Sequence, residues 1–169
     1  MPRVAFDKLP DHGRLWVFPA TRDLEEHEAE ALLQAVDDFL ASWTAHGAPL
    51  RSGRELRAGR FLLVGVDVDA EAPSGCSIDA LVNRLRALST ELGVGLIDHA
   101  PIWYLDGDVV RTVPRADFRR LAKEGTVGPD VTVVDTTLTS LRQLRGGGLE
   151  RAASESWHGK AFFRARATG

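Results

Sequence analysis

Two stretches in the first part of the chain carry the hydrophobic patterns of β-strands. "RLWVFPA" alternates, with Leu15 and Val17 on one face and the aromatic residues on the other. Segment 61–68 opens with four apolar residues, which favours a central position in a sheet. Together with "RSGRELRAGR" it predicts a hairpin whose turn is Ala58-Gly59.

Apolar residues at helical spacing predict two helices. For the first, Asp23 is the predicted N-cap, with Glu26 three residues later as in a capping box, and Gly47 follows the helix end. The second begins near Ser77 and stops at Gly93. The buried stripes are Leu32, Leu33, Val36, Phe39, Leu40 and Trp43 in the first helix, and Ile78, Leu81, Val82, Leu85, Leu88 and Leu92 in the second.

A short predicted strand, "VGLIDH", completes the first part of the chain. The order strand, helix, strand, strand, helix, strand is the split pattern of the ferredoxin-like sandwich, in which both helices pack on one face of an antiparallel sheet. We therefore predict an α+β fold, with residues 1–100 as a ferredoxin-like β-α-β-β-α-β domain.

The second part of the chain has its own element pattern. "IWYL" and "DVVRTVP" flank Asp106-Gly107, a strong hairpin signal. A helix, "RADFRRLAKEG", and a strand, "TVGPDVTVVD", follow. These elements predict a subdomain over residues 101–145. Three consecutive glycines then indicate a joint, and we predict that residues 146–169 form this Gly-rich joint and an aromatic tail that packs back on the body.

This second part resembles the bacterial GYF-like domain. The resemblance rests on an aromatic pair that opens the hairpin, on two helix positions and on a Gly-x-Val-x-Pro-Asp-x-x-Val run: Trp103, Tyr104, Phe118, Leu121, Gly125, Val127, Pro129, Asp130 and Val133. It implies a small hairpin, helix and strand unit that docks peptides, with Trp103, Tyr104 and Phe118 as binding residues. The chain reads Thr112-Val113-Pro114 where the family has Gly-Pro.

Over nearly its full length the chain resembles a family of small bacterial proteins without a demonstrated activity. The matching segments are "WTAHGAPL", "SGCSID" and "SWHGKAF". Members are often labelled ABC transporter ATPases. That activity needs a Gly-x-x-x-x-Gly-Lys-Ser/Thr loop to hold the phosphates, and the sequence contains none. We therefore reject ATPase activity for this chain.

Composition indicates an ordinary globular protein. The chain has 169 residues, of which 44% are hydrophobic and 27% charged, and its net charge is −3. No apolar run is long enough to cross a bilayer, and one cysteine cannot form an internal disulfide, which suits a reducing compartment. We expect a cytoplasmic protein with no membrane partner.

The single cysteine, Cys76, is the sharpest candidate for chemistry. It is predicted to lie just before the second helix, where backbone amides stabilise a thiolate, although Asp79 opposes that charge. Nucleophilic catalysis also needs a base, and His46, at the end of the first helix, is the best candidate, with His99 behind it. The alternative interpretation, which we favour, is a small residue that closes a loop.

Two further site types are weaker candidates. Asp67, Asp69, Glu71 and Asp79 could surround a magnesium ion, but a polar strand end leading into a solvated loop explains them as well. The five histidines show no metal-ligand spacing, so we predict neither a metal nor a cofactor. Trp16 and Phe18 invite comparison with an RNA-binding sheet, but the acidic surroundings argue against nucleic acid.

The sequence leaves two hypotheses of different classes. The favoured one is a non-catalytic interaction module that binds a peptide or protein partner. The alternative is a small thiol-dependent enzyme that uses Cys76 with His46. The sequence indicates no particular oligomeric state.

Overall fold

The structure, a computed structural model, describes residues 3–163. The chain forms two compact units. The first unit comprises Met1–Asp98 and Leu138–Arg145, and the second comprises His99–Thr137 and Gly146–Gly169. Both units combine helices with antiparallel sheets, which confirms the predicted α+β class. The domain boundaries predicted from the sequence do not coincide with the limits of these two units, and the predicted division into domains stays a prediction. No helix within residues 3–163 combines the length and the apolar character that crossing a bilayer requires.

The first unit is built on a three-stranded antiparallel sheet with the order β1-β5-β4. The apolar segment β5 lies between its two partners, and all of its residues are buried. The elements of this unit are β1 (Arg14–Pro19), α1 (Glu26–Ala41), β2 (Thr44–Ala45), β3 (Ala48–Pro49), β4 (Ser52–Arg57), β5 (Phe61–Val66), α2 (Gly75–Leu92) and α4 (Leu141–Arg145).

Both faces of this sheet are covered. Leu62, Val64 and Val66 of β5 belong to the core that α1 and α2 build on one face. On the other face, a β-carbon at position 65 would lie 2.8 Å from the Leu9 side chain and 3.4 Å from that of Leu141. A continuous apolar strand is the expected result when both faces of a sheet are buried.

The two long helices begin at caps that differ from the predicted ones. Asp23 does not cap α1, because its carboxylate accepts a hydrogen bond from Nε of Arg60 at 2.7 Å. Glu25 is the N-cap instead, with Glu28 completing the capping box. For α2 the N-cap is Ser74, whose Oγ accepts from the Ser77 amide at 3.1 Å. The helix thus begins two residues earlier than Ser77.

The predicted strand over residues 94–99 is not formed. The Thr21 amide instead donates to the Gly95 carbonyl at 3.1 Å, which holds this segment as a loop. At the edge of β1 remote from β5, Arg14 pairs with Ser140 in an isolated bridge. The ferredoxin-like arrangement therefore stays a prediction.

The second unit has a four-stranded antiparallel sheet with the order β7-β6-β8-β9. Its elements are β6 (Ile102–Asp106), β7 (Val109–Val113), α3 (Arg115–Lys123), β8 (Thr132–Val134) and β9 (Glu150–Ala152), followed by a 3₁₀ turn (Ala153–Glu155) and a π-helical turn (Gly159–Phe163). The predicted hairpin turns at Gly107, whose φ of 64° favours glycine. Phe162 packs in the core of this unit, whereas residues 164–169 of the predicted tail lie outside the described residues.

Candidate functional site

A cavity of about 540 Å³ opens in the second unit. Its wall combines the ring of Phe163 and the side chain of Pro129 with hydroxyls, a carboxylate and an ammonium group. The polar lining residues are Ser154, Glu155, Ser156 and Lys160. Lys160 is exposed and makes no ion pair within residues 3–163, so its charge is available to a ligand.

A second cavity, of about 290 Å³, lies in the same unit. Tyr104 and Asp106 of the hairpin line it together with residues 126–128, Asp130 and Val131. The sequence 128–130, which we call the Gly-Pro-Asp loop, therefore contributes to both cavities: Pro129 to the first, and its two neighbours to the second.

Backbone hydrogen bonds hold both the Gly-Pro-Asp loop and the segment just before it. The Ser154 amide donates to the Pro129 carbonyl at 2.8 Å, and the Val131 amide donates to the Gly128 carbonyl at 3.0 Å. Before the loop, the Thr126 amide donates to the Leu121 carbonyl at 2.9 Å, where α3 ends. A β-carbon at position 128 would come 2.9 Å from Oδ1 of Asp130. These contacts make the loop a preformed element between the cavities.

The predicted binding residues divide into core and surface. Trp103 and Phe118 are fully buried, and the Phe118 ring lies 4.9 Å from that of Phe162. Tyr104 is half-buried and lines the second cavity, and its ring centre lies 5.5 Å from that of Phe118 with the two rings tilted by 57°. The structure therefore places Tyr104 where a ligand can touch it and the other two beneath the surface. No sequence pattern indicates a functional role for Lys160, which lies in the aromatic tail.

Cations and a buried imidazole surround the aromatic cluster. The Arg115 guanidinium lies 5.1 Å from the centre of the Trp157 ring, and that of Arg119 lies 5.4 Å from Phe162. His158 stacks on Trp157 at 3.9 Å, and its Nδ1 lies 2.6 Å from Oγ of Ser156. Burial lowers the pKa of His158 to about 4; the Asp135 charge raises it and the Arg115 charge lowers it further.

In the first unit, Cys76 and His46 line one cavity of about 310 Å³. Cys76 is exposed in the first turn of α2, and His46 lies in the tight β2-β3 turn with a φ of 53°. Trp43 forms the cavity wall and donates its Nε1 hydrogen to the Ser77 carbonyl at 2.8 Å. Within residues 3–163 no hydrogen bond joins Cys76 to His46, so the structure brings them to one cavity without pairing them.

The carboxylates after β5 have a different neighbour from the one expected. Asp67 and Asp69 group with His12, and the candidate ligand atoms of the three all lie within 4.8 Å of one another. Glu71 and Asp79 are not part of this group. His12 lies outside the acidic run, so the sequence pattern does not indicate it; the pairing of β1 with β5 brings it beside Asp67 and Asp69.

No protein-family model, no curated protein and no solved structure matches this chain.

Proposed function

We propose that this chain is an interaction module whose second unit docks an extended peptide segment of a partner protein across the Gly-Pro-Asp loop. The observation that carries the proposal is that one short loop, held by backbone hydrogen bonds, contributes residues to the linings of two cavities. A peptide side chain can enter each cavity while the peptide backbone crosses the loop. A preformed binding surface reduces the ordering cost of association.

The lining of each cavity indicates what the peptide offers. In the first, Phe163 and Pro129 suit an apolar side chain or a proline, and Lys160 can donate to a peptide carbonyl or pair with an acidic group. In the second, Asp106 and Asp130 suit a basic side chain beside the Tyr104 ring. We therefore propose a ligand with an apolar residue and a basic residue on opposite sides of the loop.

The proposal agrees with the resemblance to GYF-like domains, which also implies a peptide-docking unit. We further propose that the first unit is a ferredoxin-like variant in which three strands take the order β1-β5-β4 and the fourth strand is reduced to the Arg14–Ser140 bridge. Cytoplasmic localisation is part of the same proposal, since Cys76 is the only cysteine in the sequence.

A phage-displayed library of random twelve-residue peptides, selected on the full-length protein, tests the docking proposal. Enriched peptides should combine apolar and basic residues, and their affinity should be measured by fluorescence anisotropy. Lys160→Glu and Asp130→Asn should each weaken binding at least fivefold. Lys123→Glu is the matched control, because Lys123 is an exposed lysine of the same unit that lines neither cavity. Equal loss in the control and in Lys160→Glu would contradict the proposal.

We propose thiol chemistry at Cys76 as the second candidate function. The observation that favours it is that Cys76 and His46 line the same cavity, with the thiol exposed to incoming reagents. The candidate requires a side-chain movement that brings the imidazole within hydrogen-bond reach of the sulfur, since catalytic hydrogen bonds are often long in the free enzyme.

The rate of Cys76 alkylation by iodoacetamide at pH 7 tests whether His46 activates the thiol. If His46 assists the thiol, His46→Ala should slow alkylation at least fivefold, whereas His27→Ala, at an exposed histidine outside the cavity, should leave the rate unchanged. Equal rates in all three proteins would remove the thiol candidate and leave the docking proposal untouched.

A further inference from the structure

The sheet register brings three metal-binding side chains together in the first unit. The pairing of β1 with β5 ends at Arg14 opposite Val66, so the residues just before β1 lie beside those just after β5. His12 belongs to the first set, and Asp67 and Asp69 belong to the second. Nε2 of His12 lies 2.6 Å from Oδ2 of Asp69.

The backbone that carries His12 is held tightly. The Gly13 amide donates to the Pro10 carbonyl at 2.9 Å, and the Gly13 carbonyl accepts from the Leu141 amide at 3.0 Å. A β-carbon at position 13 would lie 2.7 Å from the Val66 carbonyl oxygen, so only glycine permits this approach. Metal sites need ligands on rigid elements, and this turn supplies one.

We propose that His12, Asp67 and Asp69 bind one divalent transition-metal ion, with Zn²⁺ as the reference ion. The three ligand atoms lie within 4.8 Å of one another, close enough to share an ion after side-chain rotation. The imidazole nitrogen determines which class of ion the site favours. Nitrogen ligands suit Zn²⁺ and the neighbouring transition-metal ions, whereas Mg²⁺ and Ca²⁺ prefer oxygen ligands alone. The exposure of His12 and Asp69 leaves room for water or a further ligand on the ion.

The remaining contacts of the cluster orient the Asp67 carboxylate. Each of its two oxygens accepts one hydrogen bond and keeps a second lone pair for a metal ion. Its Oδ1 accepts from the Asp69 amide at 3.0 Å, and its Oδ2 accepts from Nη1 of Arg51 at 3.2 Å. The Asp67 amide donates to the Arg51 carbonyl at 2.9 Å. With Arg51 counted, the two carboxylates leave a net charge of −1 beside the imidazole, which attracts a cation.

Isothermal titration of the full-length protein with zinc chloride tests the site. All proteins carry Cys76→Ser, which removes the thiol as a competing ligand. We expect one ion per chain, and at least a tenfold loss of affinity in His12→Ala and in Asp69→Asn. His27→Ala is the matched control, because His27 also lies beside a carboxylate, with Nδ1 3.4 Å from Glu25, but belongs to no three-ligand group among residues 3–163. Its affinity should stay within twofold of the parent.

Two results would overturn the proposal. One is a titration in which His12→Ala and His27→Ala bind zinc with the same affinity, since the ion would then lie elsewhere. The other is displacement of zinc by an equal concentration of Mg²⁺, since an imidazole ligand should prevent it. Because His12 and Asp69 are exposed, the variants should keep the parental circular dichroism spectrum and unfolding midpoint.

Discussion

The buried imidazole of His158 should make the stability of the second unit depend on pH. Its side chain is 1% exposed, and burial is the main reason that its folded pKa is lowered to about 4 from the ordinary value of 6.5. The unfolded chain therefore binds the proton more tightly, and stability should fall as the pH drops below 6.5 and level off near 4. Between pH 7.5 and pH 5, protonation of this one group should lower the unfolding free energy by about 2 kcal/mol. The full loss, reached well below pH 4, is about 3.4 kcal/mol.

Native-state hydrogen exchange of the amides in β6 and β8 measures this effect locally, because it reports the opening free energy of the second unit itself. His158→Asn does not titrate, so it should lose about 2 kcal/mol less than the parent over the same pH interval. The lower absolute stability of His158→Asn does not affect this test, because only the change in stability between the two pH values is compared. His27→Ala, at an exposed histidine, should keep the parental pH dependence. Identical pH dependence in the parent and in His158→Asn would show that His158 is not the source of the effect.

Further predictions concern packing in the first unit, and urea denaturation checks each of them. Trp43→Phe removes the hydrogen bond to the Ser77 carbonyl and part of a buried ring, so it should lower the unfolding free energy by about 1–3 kcal/mol. A decrease below about 0.5 kcal/mol would contradict this prediction. Gly13→Ala should cost about 1–3 kcal/mol, because its β-carbon would lie 2.7 Å from the Val66 carbonyl oxygen. Gly75→Ala is its control, because a β-carbon there would meet no atom of residues 3–163 within 4 Å apart from its chain neighbours and its own helix, and alanine is the better helix former. Equal stability of the two variants would contradict the packing argument.

Elements with strong local patterns could be predicted from the sequence. The apolar run of β5 indicated a central strand, and Asp106-Gly107 indicated the β6-β7 hairpin; the structure confirms both. The apolar stripe of α2 predicts a helix that begins near Ser77, and the structure begins it at Gly75. The structure selects Ser74 as the cap, and Cys76 therefore lies within the helix rather than before it.

Features that depend on contacts between distant residues could not be predicted in this way. The segment 94–99 has the composition of a strand, but the hydrogen bond from Thr21 to Gly95 holds it in a loop. His12 is 55 residues from Asp67 in the sequence, and only the β1-β5 register shows that they are neighbours. The first cavity of the second unit likewise depends on Lys160 and Phe163, which reach the Gly-Pro-Asp loop through folding of the tail.

The most direct test of the docking proposal is chemical-shift mapping of a selected peptide on the ¹⁵N-labelled full-length protein. We expect the perturbed amides to cluster in residues 126–131, in the hairpin around Gly107 and in residues 154–160, with little change in the first unit. Lys160→Glu should reduce these shifts at the same peptide concentration. Perturbations confined to the first unit, or none at saturating peptide, would contradict the proposal that the second unit is the docking module.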